Sequence, residues 1–126
     1  MKSAMLVGDA RYGAVYESKE IFAGLMWMAP GVDYPEHAHD AVETWTILSG
    51  VSQWRLGEES PRSVVPGESL HIPTTVGHAV TTLDEPLLAF YIWTGDIYGR
   101  YWFHDADLAE KEHRPTVDPK QTVPTR

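Results

Sequence analysis

The sequence contains no cysteine. That single absence excludes disulfides, thiolate metal sites and cysteine nucleophiles together. Cations are scarce. Ten Lys and Arg stand against 18 Asp and Glu, a formal net charge of −8 with histidine neutral. A surface this acidic repels nucleic acid and anionic lipid, so neither is an expected partner. Long apolar runs are missing as well. No stretch approaches the roughly 20 residues of a membrane span, and Met1 to Asp9 holds no apolar run of signal-peptide length. The expected location is cytoplasmic.

What remains is an ordinary globular composition, with 43% hydrophobic and 11% aromatic residues in 126. One domain over residues 1–126 is the expectation, and a chain of this size can bury a real core. Short apolar runs alternate with turn signals from residue 12 onward, which is an all-β pattern. Tyr12–Glu17 is a weak strand, and Glu20–Ala29 a stronger one stopped by Pro30-Gly31. Val42–Leu48 and Val51–Leu56 flank Ser49-Gly50 and read as a hairpin. Ser63–Val65, Ser69–Ile72, Gly77–Leu83 and Leu87–Thr94 continue the series, and Tyr98–Phe103 reads as an edge strand or a packed loop. About eight short strands at this spacing predict a sandwich or small barrel. The core is expected over about 12–103. In the tail, 104–126, Asp105–His113 reads as a short helix, and three prolines beyond it suggest an extended end.

The chemistry is concentrated in Gly31 to Glu43. His37 and His39 are two apart, so on a strand they point the same way. Glu43 follows four residues later, at the head of the next strand. Two imidazoles and a carboxylate can take one face of a metal ion and leave other positions open for water or substrate. His78 begins a later strand and can supply a fourth ligand. A lone His-x-His reads as a surface pair before a turn, but here a wider pattern accompanies it: Gly31, five residues, His37-x-His39, three residues, Glu43, six residues, Gly50, then Gly67, five residues, Pro73, four residues, His78.

These two blocks resemble the two-motif signature of the cupin superfamily, from about Ala23 to Trp93. The resemblance implies a double-stranded β-helix, a jelly-roll barrel, holding one divalent transition-metal ion on His37, His39, Glu43 and His78. The mixed N and O donors suit Zn, Ni, Fe or Mn, and do not choose among them. The sequence departs from the usual pattern at Thr75, where glycine is customary, and at Thr82, where asparagine is customary.

Strand parity sends Trp45 and Ile47 inward with Glu43, and Val80 and Thr82 inward with His78. Trp27 and Trp54 are expected as further inward neighbours, so Trp27, Trp45 and Trp54 together suggest an aromatic, substrate-binding pocket, although core packing is the plainer reading of each. Apolar residues on both faces of Leu87–Trp93 suggest that a second subunit covers the outer sheet, giving a homodimer. His71 reads as a packed or surface histidine, and His104 and His113 as solvated.

A finer resemblance joins Glu43-x-Trp45-x-x-Leu48-Ser49-Gly50 to Pro73, His78-Ala79, Pro86-Leu87-Leu88-Ala89 and Tyr91-x-Trp93-x-Gly95-Asp96. It is similar to the cupin-type dimethylsulfoniopropionate lyases. It implies an enzyme that eliminates dimethyl sulfide from a small carboxylate and leaves acrylate, with the metal holding the carboxylate. A tyrosine two after the glutamate ligand, or one nearby, is the family's base. Here that position is Trp45, and an indole cannot accept a proton. Tyr34 and Tyr91 are the candidate substitutes. Two alternatives stay open: an Fe(II)-dependent dioxygenase using the same open positions, and a non-catalytic cupin that binds a small molecule.

Overall fold

The computed structural model describes residues 1–104; the expected tail helix Asp105–His113 and the extended end lie outside the described residues. Eleven strands form two sheets: β1 (Lys2–Gly8), β2 (Tyr16–Glu17), β3 (Phe22–Met28), β4 (Asp33–His39), β5 (Ala41–Ser49), β6 (Ser52–Leu56), β7 (Arg62–Val64), β8 (Ser69–Ile72), β9 (His78–Thr82), β10 (Leu87–Gly95) and β11 (Tyr101–Phe103). One sheet has the order β2-β1-β3-β10-β5-β8 and the other β11-β4-β9-β6-β7. This is the double-stranded β-helix that the sequence leads one to expect. Among the described residues no helix is long and apolar enough to cross a membrane.

The period of two is visible along the central strands. In β5, Ala41, Glu43, Trp45 and Ile47 are buried; in β10, Leu87, Ala89, Tyr91 and Trp93 are; in β9, His78, Val80 and Thr82 are. The inward sets of both sheets meet in one core that includes Met26, Met28, Trp45, Trp54, Leu70 and Ile72. Burying such side chains contributes roughly 1.5–3 kcal/mol each, and this is the main force closing the barrel.

Three features differ from the sequence reading. The first sheet starts with β1, ten residues ahead of the expected core. A register shift between Met5 and Val7 breaks the alternation that would have announced a strand there. The strand is tied in by Gly24, where any Cβ would sit 2.2 Å from the Ala4 carbonyl oxygen. Tyr12–Glu17 contracts to β2, because Ala10–Tyr12 forms a 3-10 turn capped by Asp9. The expected hairpin of Val42–Leu48 with Val51–Leu56 is not formed: β5 and β6 belong to different sheets. Ser49-Gly50 is instead a corner, where Gly50 takes φ +88° and a Cβ would lie 2.1 Å from the Pro86 carbonyl oxygen.

A second corner positions the chemistry. A single residue, Asp40, separates β4 from β5, and there the chain passes from the five-stranded to the six-stranded sheet. His37 and His39 therefore come from one sheet and Glu43 from the other. Asp40 is held by the segment before β11: its N–H donates to the Arg100 carbonyl, and its carboxylate accepts from the Arg100 backbone and guanidinium at 2.9–3.1 Å.

Candidate metal centre

Register carries the site residues together. His37 on β4 lies opposite His78 on β9, Tyr101 on β11 opposite His39, and Trp93 on β10 opposite Glu43. His37, His39, Glu43 and His78 are all buried, each at most 5% exposed. Four polar side chains at that depth require partners.

Each histidine is oriented in the same way. The Nδ1 edge of His37 faces the Pro35 carbonyl at 2.8 Å, that of His39 the Ala41 carbonyl at 2.9 Å, and that of His78 the Val76 carbonyl at 3.0 Å. A carbonyl oxygen only accepts, so Nδ1 carries the proton, and in the neutral ring Nε2 is left as a lone pair. Fixing the tautomer from the backbone is how metal-binding histidines are prepared.

Two of those lone pairs converge on one carboxylate. Nε2 of His39 is 3.1 Å from Glu43 Oε1, and Nε2 of His78 is 3.5 Å from it. His78 Nε2 is buried without a hydrogen-bond partner. Donors that share an ion at about 2.1 Å sit roughly 3.0–3.4 Å apart, so these separations suit three ligands of one ion. The mutually close set is His39, Glu43 and His78, with all donor atoms within 4.8 Å. His37 stands beside this set rather than within it. Its ring lies between those of Tyr34 and His78, with centroids 4.1 Å from each. Burial, with His78 and His39 nearby, pushes its pKa well below the usual imidazole value, so it is neutral. Burial pushes the Glu43 carboxyl up, and hydrogen bonds from His39 and His78, made when their Nε2 atoms carry a proton, pull it below the usual carboxylate range.

Around the ligands is a very small cavity of about 10 Å³, room for about one water molecule, bordered by Tyr34, His37, His39, Glu43, Trp45, Trp93 and Tyr101. Tyr34 is thus brought to the site. Its phenol oxygen shares a hydrogen bond with that of Tyr101. Tyr91 is buried in the core but does not border this cavity. Of the three indoles expected to form the pocket, only Trp45 borders it. Trp54 packs edge-on behind Trp45, centroids 4.9 Å apart, with its N–H donated to Ser52 Oγ. Trp27 corrects the expectation: Met26 and Met28 take the inward positions of β3, parity turns Trp27 out, and it is 40% exposed. His71 lies on an outer face beside Thr44. His104 is not merely solvated, because its Nδ1 pairs with Glu36.

Two site residues escaped the sequence reading. Trp93 donates its indole N–H to Glu43 Oε2 at 2.8 Å, holding the carboxylate oxygen other than the one that faces His39 and His78, and its ring centroid lies 4.2 Å from that of His39. Tyr101 stacks with His37 and His39, centroids 5.5 and 6.0 Å away. Trp93 shares the inward parity of Leu87 and Tyr91, which was a usable signal. Tyr101 reaches the site only through the pairing of β11 with β4, which no spacing in the sequence announces.

A two-sheet barrel with His-x-His and Glu at one corner and a third histidine on the facing strand defines a cupin with a candidate metal centre. Comparison with known proteins agrees and is more specific. The family model for dimethylsulfoniopropionate lyase matches residues 2–89, and the chain belongs to that family. Dimethylsulfoniopropionate lyase DddQ of Ruegeria pomeroyi (strain DSS-3) is 33% identical over 92 residues, covering 73% of this chain and 44% of the relative. The crystal structure of DddQ superposes with a TM-score of 0.74 at 29% identity, covering 81% of this chain and 50% of that one. A cupin superfamily protein of Desulfitobacterium hafniense DCB-2 shares the fold, with a TM-score of 0.57 at 20% identity over 63% of this chain and 71% of that one. The chain spans about half the length of the lyase relatives it matches.

Proposed function

We propose that this protein is a metal-dependent lyase acting on a small carboxylate, of the dimethylsulfoniopropionate lyase type. The observation that carries the reading is the convergence of two backbone-oriented Nε2 lone pairs on the Glu43 carboxylate inside a cavity that a phenol, Tyr34, also borders. His39, Glu43 and His78 would hold the ion. His37, whose Nδ1 is anchored like the others, is the proposed fourth donor. A divalent ion bound there supplies charge that anchors a carboxylate and acidifies the carbon next to it.

The chain's own groups account for the rest. In its ionised form Tyr34 is the base. It removes the proton next to the carboxylate, the C–H electron pair becomes the new C=C bond, and the C–S bond breaks with its pair going to sulfur. The products are dimethyl sulfide, acrylate and a protonated Tyr34. Tyr101 positions the Tyr34 oxygen and, by donating to it, stabilises the phenolate. The burial of the site excludes water, so these charges act in a medium of low polarity. The presence of Trp45 in place of the customary tyrosine base favours one second reading, a non-catalytic cupin that binds the carboxylate without turning it over.

The test combines elemental analysis with an assay of released dimethyl sulfide. Purified wild type is expected to hold one transition-metal ion and to release the gas from dimethylsulfoniopropionate. His39→Ala is expected to lose the ion, while Tyr34→Phe keeps it and loses ~10²-fold or more in rate. Stoichiometric metal in His39→Ala rules out the ligand assignment. Metal without gas release in the wild type selects the non-catalytic reading.

A further inference from the structure

Trp45 has a property that core packing leaves unexplained. It follows Glu43 by two residues on β5, shares its inward face, and is 2% exposed. Three indoles lie inward in this part of the barrel. The N–H of Trp54 is taken by Ser52 Oγ at 2.9 Å and that of Trp93 by Glu43 Oε2 at 2.8 Å. The N–H of Trp45 is buried with no hydrogen-bond partner. An unsatisfied buried donor costs about 1–3 kcal/mol, and proteins retain one where something else supplies the acceptor.

The surroundings narrow what that acceptor is. The Trp45 ring borders the same small cavity as His39, Glu43 and Tyr34. Glu43 is already engaged, Oε1 facing His39 and His78 and Oε2 accepting from Trp93. An indole N–H only donates, so its partner is an acceptor atom brought by a ligand. A divalent ion held by two neutral imidazoles and one carboxylate keeps a net positive charge, which favours an anion over a neutral acceptor. The free space there, about 10 Å³, admits little more than one small acceptor group such as a carboxylate oxygen.

We infer that the Trp45 indole N–H is a recognition donor for one carboxylate oxygen of a short-chain substrate held at the metal centre. This deepens the proposed function and rests on its metal site. It gives the residue that replaces the customary base a positive role: Trp45 binds the carboxylate and leaves proton removal to a phenol. It is a specificity determinant, since a site that holds out an N–H discriminates against ligands without an acceptor there.

The test uses the full chain, ¹⁵N-labelled at tryptophan and loaded with zinc, with propionate as the probe and n-propanol as the neutral control. The Trp45 indole resonance is expected to move downfield with propionate and to stay in place with n-propanol. Trp45→Phe, with zinc content equal to wild type, is expected to bind propionate roughly ten- to a hundredfold more weakly. The inference is overturned if propionate fails to bind, if it binds while the Trp45 resonance stays fixed, or if Trp45→Phe binds it as tightly as wild type. The same titration on zinc-free protein separates the two readings. Failure to hold zinc counts against the metal site, whereas the indole signal still decides for or against the donor. Should Trp45→Phe not fold, the wild-type resonance alone gives the answer.

Discussion

At the scale of single residues, the two departures from the customary cupin pattern have physical consequences. Thr75 stands where glycine is usual, and it has φ +63°, the one non-glycine residue in that region among the described residues. A β-branched side chain is poorly suited to left-handed backbone. The turn is nonetheless fixed, because the Thr75 N–H donates to the His39 carbonyl at 2.8 Å and so touches a proposed ligand strand. Thr75→Gly removes the Cβ penalty and keeps that bond. The expected result is a gain of about 1 kcal/mol in stability with metal content unchanged, read from urea unfolding midpoints. A loss of stability would mean that the Thr75 hydroxyl, which donates to the Thr74 carbonyl, outweighs the strain.

At the scale of elements, the site depends on how neighbouring strands are tied at their ends. Thr82 closes β9 against the turn between β3 and β4. Its hydroxyl donates to the Ala29 carbonyl at 2.6 Å and accepts the Val32 N–H at 2.8 Å, and the residue is 2% exposed. Thr82→Val keeps the shape and leaves both backbone groups unpaired, so a loss of about 1–3 kcal/mol is expected. A thermal melt reads it, and an unchanged melting temperature would show that water replaces both bonds. Much of this layer was legible in the sequence, because alternation in β5, β9 and β10 is regular and most breaks carry Pro or Gly. The ligand set was legible for a related reason: His37, His39 and Glu43 are close in the chain, and His78 opens a strand after a recognisable turn. The rest depended on pairing. The bulge at Met5–Val7 hid β1, and the turn signal Ser49-Gly50 marked a break without saying which sheet the next strand joins. Trp93 and Tyr101 come to the ligands through register across sheets, and register is set by long-range packing that a local pattern does not encode.

At the scale of the whole molecule, the outer face of the six-stranded sheet is what one barrel leaves unfinished. Trp27 and Leu25 point outward from β3, and across β10 they pair in register with Leu88 and Phe90; Ile92 extends the row. Trp27 is exposed and the other four are half-buried. Beyond them on β5 the outward positions are Val42, Thr44 and Thr46, so this side of the strip carries no charge in a chain of net charge −8, and on the other side Lys2 of β1 lies opposite Trp27 and borders it. A contiguous uncharged apolar surface on an otherwise acidic protein favours contact with another surface of the same kind. A second copy supplies one by symmetry, since a two-fold interface sets the same patch against itself. We therefore expect a homodimer with Trp27 in its interface, since large aromatic side chains contribute most to binding. Light scattering on the eluting protein is expected to give twice the 14.2 kDa of one chain. Trp27→Lys replaces the strip's largest aromatic side chain with a second cation beside Lys2 and, at an expected cost of on the order of 2 kcal/mol or more, raises the dissociation constant by roughly thirtyfold or more. Because Trp27 lies on the far side of the sheet from His39 and Glu43, the variant is expected to keep its metal. A wild-type mass of 14.2 kDa at all concentrations would overturn the dimer.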